Sequence, residues 1–561
     1  MRSAAWLLYA PAIFVLSLYF WGFLDHAWSV VTFPYQIDYG EMPELNRAWR
    51  LARGQPIYVD WSSPPYQMAN YPPLYPAVAA AGVAFQGTQF FTGRLLSLAS
   101  TLATGAALAV TIWALHGGRR AAVIGGLLYF VAHPVWNWGA LQRVDSFAVA
   151  WELAGVAVFA AGWLRSGRRW ALWATVPLFL AAVYSRQTVV AGALACYGYL
   201  LIRRPRLGLV VLAIYAAAGL VLLGVLQAAT AGQFWRHIVD GNLNRWNWER
   251  VDTYWQPFQR LLHWTFPFAT IAALLGATRR QPQIPLLYLI ASAATTLTIG
   301  KIGSNVNYLL QLWAALALMT GLALGYMATL GERPVSRPAT DESHQAARRT
   351  RRARDTPWSV ISGPSSVAVL RQIIRQVIPA LWLLVGLQQV YHVPFTVEPD
   401  GERYGEPAAV FAALRWPQLP LWRLDPWAAP PGEIATYYRQ RYQPNPSTTE
   451  RQNAGLAEGY VATVEGDVLG EEMSFTVTTG KRVYLQPFEF TQLAQQGVWD
   501  QGPLLEDIRR QRFGAVVLRF RLGDDPAWRR ERVNQAMIHT LAASYRLDAA
   551  FGDYFIYRPR P

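Results

Sequence analysis

Residues 34–76, PYQIDYGEMPELNRAWRLARGQPIYVDWSSPPYQMANYPPLYP, decide how the rest of the chain is read. They follow a long apolar run, so they stand where a membrane span gives way to water. Asp38 and Glu41 sit at that boundary. Beyond them Met42, Leu45, Trp49 and Ala52 recur at helical spacing, with Glu44, Asn46, Arg47, Arg50 and Arg53 on the other face. Pro43 and the acids suit a first turn, and Gly54 suits a stop. The spacing predicts an amphipathic helix lying in the bilayer interface. As helix-start acids Glu41 and Glu44 need no further role, whereas Asp38 lies outside the helix.

Working outward, the chain is 53% hydrophobic and only 15% charged over 561 residues, too apolar for an ordinary soluble enzyme. Runs near the roughly 20 residues that cross a bilayer fall at 4–31, 90–115, 121–138, 141–164, 170–185, 187–202, 207–229, 257–277, 283–300, 305–329 and 374–392. The expected fold class is an α-helical polytopic membrane protein of about eleven spans. The apolar segment 71–86 is short and Pro-rich and is read as a helix that does not cross. The first span lacks a small-residue cleavage site and is expected to be retained. The lone cysteine, Cys196, lies inside a span, so no intrachain disulfide forms.

A net charge of +15 would suit nucleic acid, but the placement of the arginines argues against that partner. They cluster in short loops at Arg119–Arg120, Arg165 to Arg169, Arg203 to Arg206 and Arg279–Arg280, and in the run Arg333 to Arg354. The positive-inside rule puts all of these on the cytoplasmic side of a plasma (inner) membrane. The acidic first loop then faces outward. Residues 1–329 form the membrane module, with 32–89 as its first external loop. The segment 330–373 is a basic cytoplasmic linker that could touch anionic lipids. A last transmembrane helix, 374–392, leads to an extracytoplasmic region, 393–561. From Tyr460 the pattern suggests a small α/β accessory domain. VYLQPF, GAVVLRF and DYFIYRP read as strands, and PLLEDIRRQRF and VNQAMIHTLAASY as helices.

The polar residues at membrane depth fall in the external loops, and intramembrane-edge charges are functional by default. Asp38 could take a proton from an incoming hydroxyl. Asp145 follows Arg143 in QRVDS, where an N-cap role also fits. Arg186 and Gln187 occupy a tight external turn, and an arginine there needs a partner such as phosphate. In GKIGSNVNYLL, Lys301, Ser304, Asn305, Asn307 and Tyr308 surround a turn into a helix N-terminus, a natural anion site. Lys301 is one of only two lysines among the 50 basic residues. Tyr71 and the Trp-rich loop around His237 complete the candidates for substrate binding, although Trp belts mark interfaces anyway.

In their order and sidedness these residues resemble the GT-C glycosyltransferases, the group that includes aminoarabinose transferases and protein O-mannosyltransferases. The resemblance rests on DYGE (Asp38 to Glu41), NYPPLYP (Asn70 to Pro76), QRVDS, SRQT (Ser185 to Thr188) and NYLLQLW (Asn307 to Trp313), and spans roughly residues 1–330. It implies a membrane-embedded hexosyl or pentosyl transferase that uses a polyprenyl-phosphate sugar donor and inverts the anomeric centre. The acceptor is a glycolipid, glycan or protein left open. The resemblance also implies Asp38 as base, Asp145 as a second acid positioning a metal or the acceptor, and Arg186 with the 301–308 loop on the lipid phosphate. A divalent cation, Mg²⁺ or Mn²⁺, held by Asp38 and Asp145 is the one cofactor expectation. Tyr39 and Gly40 separate the two acids of the first loop, which leaves a catalytic role for Glu41 open. The rival readings are a lipid-linked sugar flippase and a non-enzymatic envelope assembly protein.

Overall fold

The computed structural model describes residues 8–116, 118–329, 373–390, 410, 413–430, 433, 445–524 and 530–561. The expected linker therefore lies outside the described residues.

The first helix, α1 (Ala10–Thr32), ends because Phe33 precedes Pro34 and is held extended. Then come α2 (Glu41–Ala52), α3 (Leu74–Gln86), α4 (Phe91–His116), α5 (Arg119–Leu128), α6 (His133–Trp138), α7 (Val144–Val158), α8 (Arg169–Val183), α9 (Ala191–Arg203) and α10 (Pro205–Ala229). After the short α11 (Gln233–Ile238), the long α12 (Trp248–Thr278), α13 (Ile284–Thr296), α14 (Leu310–Ala328) and α15 (Ile378–Gln389) complete the bundle. Six helical stretches, at 10–32, 91–115, 144–165, 205–229, 258–278 and 306–328, are long and apolar enough to cross a membrane.

The other five expected spans are shorter or broken. Helices α8, α9 and α13 are apolar but have 15, 13 and 13 residues. The span expected at 121–138 breaks at Ala132, held extended, before His133 and Pro134 start the six-residue α6. That break puts Trp138 beside the first loop. The 13 residues of α3 reach about 20 Å, short of the roughly 30 Å hydrocarbon core.

Burial sorts the helices. Every residue of α14 from Leu310 to Met327 is buried, as befits a helix apolar all round at the centre of a bundle. The equally apolar α10 buries only Gly208 and Val211 and lies on the rim. Chain direction gives the bundle two ends. The loops carrying Arg119, Arg165, Arg203 and Arg279 lie at one end. The first loop, the 139–143 turn, the 184–190 turn and the 300–307 loop lie at the other.

At that second end sits a four-stranded sheet, ordered β1 (Val468–Gly470), β2 (Ala515–Leu518), β4 (Tyr554–Pro559), β3 (Tyr545–Phe551), with β1 and β2 parallel and the rest antiparallel. Of the expected strands, GAVVLRF and DYFIYRP supply β2 and β4. VYLQPF does not form one. Pro487 opens a helix, Pro487–Gln495, and the residues before it pair with the first loop, through Tyr66 N to Tyr484 O at 2.7 Å and Gln486 N to Tyr66 O at 3.0 Å. Trp61, Tyr66 and Met68 share a core with Leu485, Phe490 and Trp499 of this region.

Contrary to expectation, α2 does not lie on the bilayer. Met42, Leu45 and Ala48 pack between α3 and Met473, Val477 and Val483 of the C-terminal region. Glu44, Asn46 and Arg47 of its polar face are buried too, and find partners in Arg47–Glu44 at 2.5 Å and Asn46–Gln67 at 3.0 Å.

Candidate active site

Arg94, in the first turn of α4, organises the first loop. It grips Glu41 with Nε and Nη2, both at 2.8 Å, and donates to the carbonyls of Val30, Phe33 and Tyr35. Both side chains are 0% exposed. The end of α1 and the start of the loop are thereby tied to α4, and the paired carboxylate in turn accepts from the backbone N–H of Ile37, Asp38 and Gln142. Burial works against ionisation of Glu41, but the Arg94 charge and these hydrogen bonds overcome it and lower its pKa. Glu41 is therefore a structural anion with no face on the cavity.

Asp38 is the opposite case. Its side chain is 22% exposed, and Oδ1 accepts from Gly40 N at 2.9 Å and from Arg143 Nη1 at 3.3 Å. It opens onto a cavity of about 330 Å³. The membrane module contributes Gly40, Trp138, Arg143, Arg250 and Tyr254, and the 303–305 turn contributes Gly303, Ser304 and Asn305. The C-terminal region closes it with Phe488, Glu531 and Arg532. Gly303 has φ +87°, and a Cβ there would lie 2.4 Å from Phe488 Cζ, so glycine serves both the turn and the approach of the two regions. Arg250 pairs with Glu531 at 2.8 Å, joining α12 to the C-terminal wall. Arg532 pairs with buried Glu471 at 2.7 Å and stacks over Tyr39.

Behind Arg143 lies a second, more buried cluster. Asp145 accepts from Arg186 Nη1 at 2.6 Å and from Asn307 Nδ2 at 2.9 Å, and lies 3.7 Å from Arg143 Nε. Arg186 also stacks over Tyr308, 4.2 Å from its centroid. Tyr71 belongs to the same electrostatic group, since Arg143, Tyr308, Asp145 and Arg186 all act on its hydroxyl. Burial opposes the charge on Arg186, yet Asp145 and its other neighbours raise its pKa. Burial, and then Arg186, lower Lys301 to about 8, and its ammonium donates to Asn242 at 3.3 Å. Several buried atoms have no hydrogen-bond partner among the described residues, including Arg186 Nη2, Asp145 Oδ2, Asn307 Oδ1 and Gln187 Oε1. Unspent polar atoms in a buried cluster are where a polar ligand or water is held.

Not every expected residue belongs here. Gln187 donates to the Asn70 carbonyl at 3.1 Å and braces the NYPPLYP segment. Ser304 and Asn305 line the cavity, but the Ser304 hydroxyl is spent on Ile299 O and Asn305 caps Val306 N. His237 is not a substrate ligand. Its Nδ1 accepts from Ala69 N at 2.9 Å, so Nε2 donates to Val59 O at 2.7 Å, and burial lowers its pKa to about 4. Arg94, Trp138, Arg250, Tyr254, Phe488, Glu531 and Arg532 were not expected from sequence. A wider groove of about 920 Å³ along α12, from Asp252 to Phe266, carries none of the acid–arginine cluster.

The metal expectation meets an obstacle in the same geometry. The guanidinium of Arg143 stands between Asp38 and Asp145, and Asp145 is engaged by Arg186 and Asn307 as well. No group of three or more His, Cys, Asp or Glu side chains among the described residues converges as a metal site. The donor set does not fit a divalent ion.

No family model matches the chain, and no curated relative does. Among solved structures it is similar to ArnT from Cupriavidus metallidurans bound to undecaprenyl phosphate, at 16% identity over 98% of this chain and 97% of that one, with a TM-score of 0.50. The apo state of the same protein gives 16% identity over 99% and 98%, with a TM-score of 0.49. The archaeal oligosaccharyltransferase AglB from Archaeoglobus fulgidus, in complex with an inhibitory peptide and a dolichol-phosphate, gives 12% identity over 98% and 74%, with a TM-score of 0.45. At such identities a likeness speaks for fold alone, and only the first reaches a score that carries weight. The fold found is thus similar to that of ArnT, a member of the aminoarabinose transferase group that the sequence resembles.

Proposed function

We propose that this protein is an inverting glycosyltransferase that moves a sugar from a polyprenyl-phosphate donor to an acceptor hydroxyl or amine at the outer face of a plasma (inner) membrane. One observation carries the reading: Asp38, a carboxylate open to the cavity, lies against Arg143, behind which a buried cation cluster keeps unspent donors, while Glu531, the other carboxylate lining the cavity, is paired with Arg250. Displacement at an anomeric carbon makes those two demands. Asp38 takes the acceptor proton, the acceptor oxygen or nitrogen forms a bond to the anomeric carbon, and the carbon–oxygen bond to phosphate breaks with its electron pair staying on phosphate. Arg186, Lys301 and the donors around them stabilise the charge that grows on the leaving group, the largest kind of electrostatic assistance an enzyme gives. Asp145 is buried, with Oδ1 held by Arg186 and Asn307, and Glu531 is paired with Arg250, so this reading takes Asp38 as the base of a direct displacement with inversion.

The donor class follows from placement. The cluster lies behind Arg143, at the end of the bundle that holds the first loop, and the structurally similar ArnT has been crystallised bound to undecaprenyl phosphate. Sidedness follows from the arginine loops at the opposite end of the bundle, which the positive-inside rule assigns to the cytoplasm. The eleven-span topology is part of this reading, with the shorter helices completing it.

The test uses purified full-length protein with a panel of polyprenyl-phosphate sugars and measures release of the lipid phosphate. At least one donor is expected to turn over, and Asp38→Asn to lose the activity. Turnover that survives Asp38→Asn, or a complete absence of turnover across the panel, overturns the reading.

A further inference from the structure

We infer that Arg143 is a built-in cation standing where a divalent metal would bridge Asp38 and Asp145, so that transfer proceeds without a metal ion. The inference rests on the proposed role of Asp38 and makes its own claim about this chain's residues.

Two carboxylates from different elements are brought to two edges of one guanidinium. Asp38, on the first loop, lies 3.3 Å from Nη1, and Asp145, on α7, lies 3.7 Å from Nε. An Mg²⁺ bridging the same acids would need ligand distances of about 2.0–2.1 Å and near-octahedral access. The arginine denies both, because its planar head fills the space. Burial opposes the charge on Arg143, but Asp38, Tyr71 and Asp145 hold it protonated and raise its pKa. The cation is therefore permanent, unlike a bound metal that equilibrates with solution.

Gly40 shows that this position is built in. A Cβ at residue 40 would fall 1.0 Å from Arg143 Nη1 and 2.3 Å from its Cζ, so the Nη1 end of the guanidinium occupies the place where a side chain would begin. The backbone of Gly40 has φ −75° and ψ −7°, a conformation any residue adopts. Glycine between Tyr39 and Glu41 thus provides room for Arg143, not freedom of the chain. Arg143 meets the base side on, through Oδ1, and Oδ2 of Asp38 has no hydrogen-bond partner among the described residues. Arg143 is accordingly a positioning residue. It neutralises and orients the base without ligating the oxygen that takes the proton.

Two variants remove the cation in different ways. Arg143→Gln deletes the charge, and Gly40→Ala keeps the arginine but pushes its head aside with the backbone undisturbed. Mn²⁺ bound to the detergent-solubilised full-length chain is counted by electron paramagnetic resonance, and transfer is assayed with EDTA and with added Mn²⁺. The wild type is expected to bind no Mn²⁺ that Asp38→Asn removes, and to be indifferent to EDTA. Arg143→Gln should lose roughly 100-fold in transfer, acquire a Mn²⁺ site that Asp38→Asn abolishes, and regain at least part of its rate with Mn²⁺. Gly40→Ala should show the same changes more weakly. Wild-type activity that EDTA removes and Mn²⁺ restores overturns the inference, as does Arg143→Gln protein with wild-type melting behaviour and no new Mn²⁺ site. If no donor supports transfer, the glycosyltransferase reading fails, while the Mn²⁺ counts still decide the role of Arg143.

Discussion

Asp38 and Glu41 belong to the same short motif, each faces an arginine, and the two pairs are built for opposite ends. Glu41 and Arg94 form a bidentate pair with both side chains shut off from solvent. Asp38 and Arg143 meet edge to edge at 3.3 Å with the carboxylate open to the cavity. A buried, fully satisfied pair holds a loop in place, and an open, partly satisfied one leaves capacity for a substrate. The first pair positions the second, because Glu41 Oε2 accepts from the Ile37 and Asp38 backbone N–H groups. Two carboxylates three residues apart therefore do not share a role. What separates them is how many of their lone pairs the fold has already used.

The comparison breaks most sharply at Glu41. Glu41→Ala leaves Arg94 charged and buried without its partner, a defect that costs roughly 3–5 kcal/mol. Much of the stability of a typical protein is of that size. Thermal unfolding in detergent should shift strongly downward, and transfer should fall with the folded fraction. Asp38→Asn is the counterpart. Melting should stay within about 0.5 kcal/mol of wild type, as for substitutions away from buried networks, while transfer falls by about 10²–10⁴, the contribution of a general base. If both variants lose stability equally, the division between structural and chemical acid is wrong.

The parts of this molecule that the sequence betrays are those where burial is costly. Apolar runs located the helices, and charges at membrane depth pointed to Asp38, Asp145, Arg143 and Arg186. Arg94 carries the same signal, an arginine in the first turn of an apolar span at the end otherwise free of arginine clusters. Helix breaks were harder. Pro134 was visible, but its apolar flanks hid the change of direction. The β3–β4 hairpin was also legible in principle. Gly552 and Asp553 form a two-residue turn between the paired Phe551 and Tyr554, and a Gly–Asp dipeptide is a hairpin signal. The C-terminal wall of the cavity was not legible. Glu531 and Arg532 sit in RRERVN, which reads as a solvated charge run, and nothing local says that it turns toward a loop hundreds of residues earlier.

A smaller effect sharpens the contrast between paired and unspent cations. Lys301, lowered to about 8 by burial and by Arg186, has only Asn242 as a side-chain partner among the described residues. Below that pH it carries a charge available to phosphate, and above it the charge is lost. The apparent affinity for the donor should fall as pH rises through about 8, by about tenfold if one charge-assisted hydrogen bond of roughly 1.5–3 kcal/mol is at stake. Lys301→Arg, always protonated, should flatten the profile. A donor KM that is level from pH 7 to pH 9 in the wild type would remove Lys301 from the phosphate site.

The smallest expected change concerns Tyr39, the residue between the two acids that faces the C-terminal region instead of the membrane bundle. Its hydroxyl donates to Glu489 at 2.8 Å and accepts from Phe488 N at 3.0 Å, and Arg532 lies over its ring. Asp38 is thus fixed from two directions, by Glu41 through its own backbone N–H and by the C-terminal region through its neighbour. If the second anchor only trims the position of the base, Tyr39→Phe should cost about 1 kcal/mol, one net hydrogen bond. That cost should show as a severalfold drop in kcat with little change in donor KM, and melting should stay near wild type. A loss as large as that of Asp38→Asn would mean that the C-terminal region sets the geometry of the base, and that Glu41 with Arg94 provides only the hinge on which it turns.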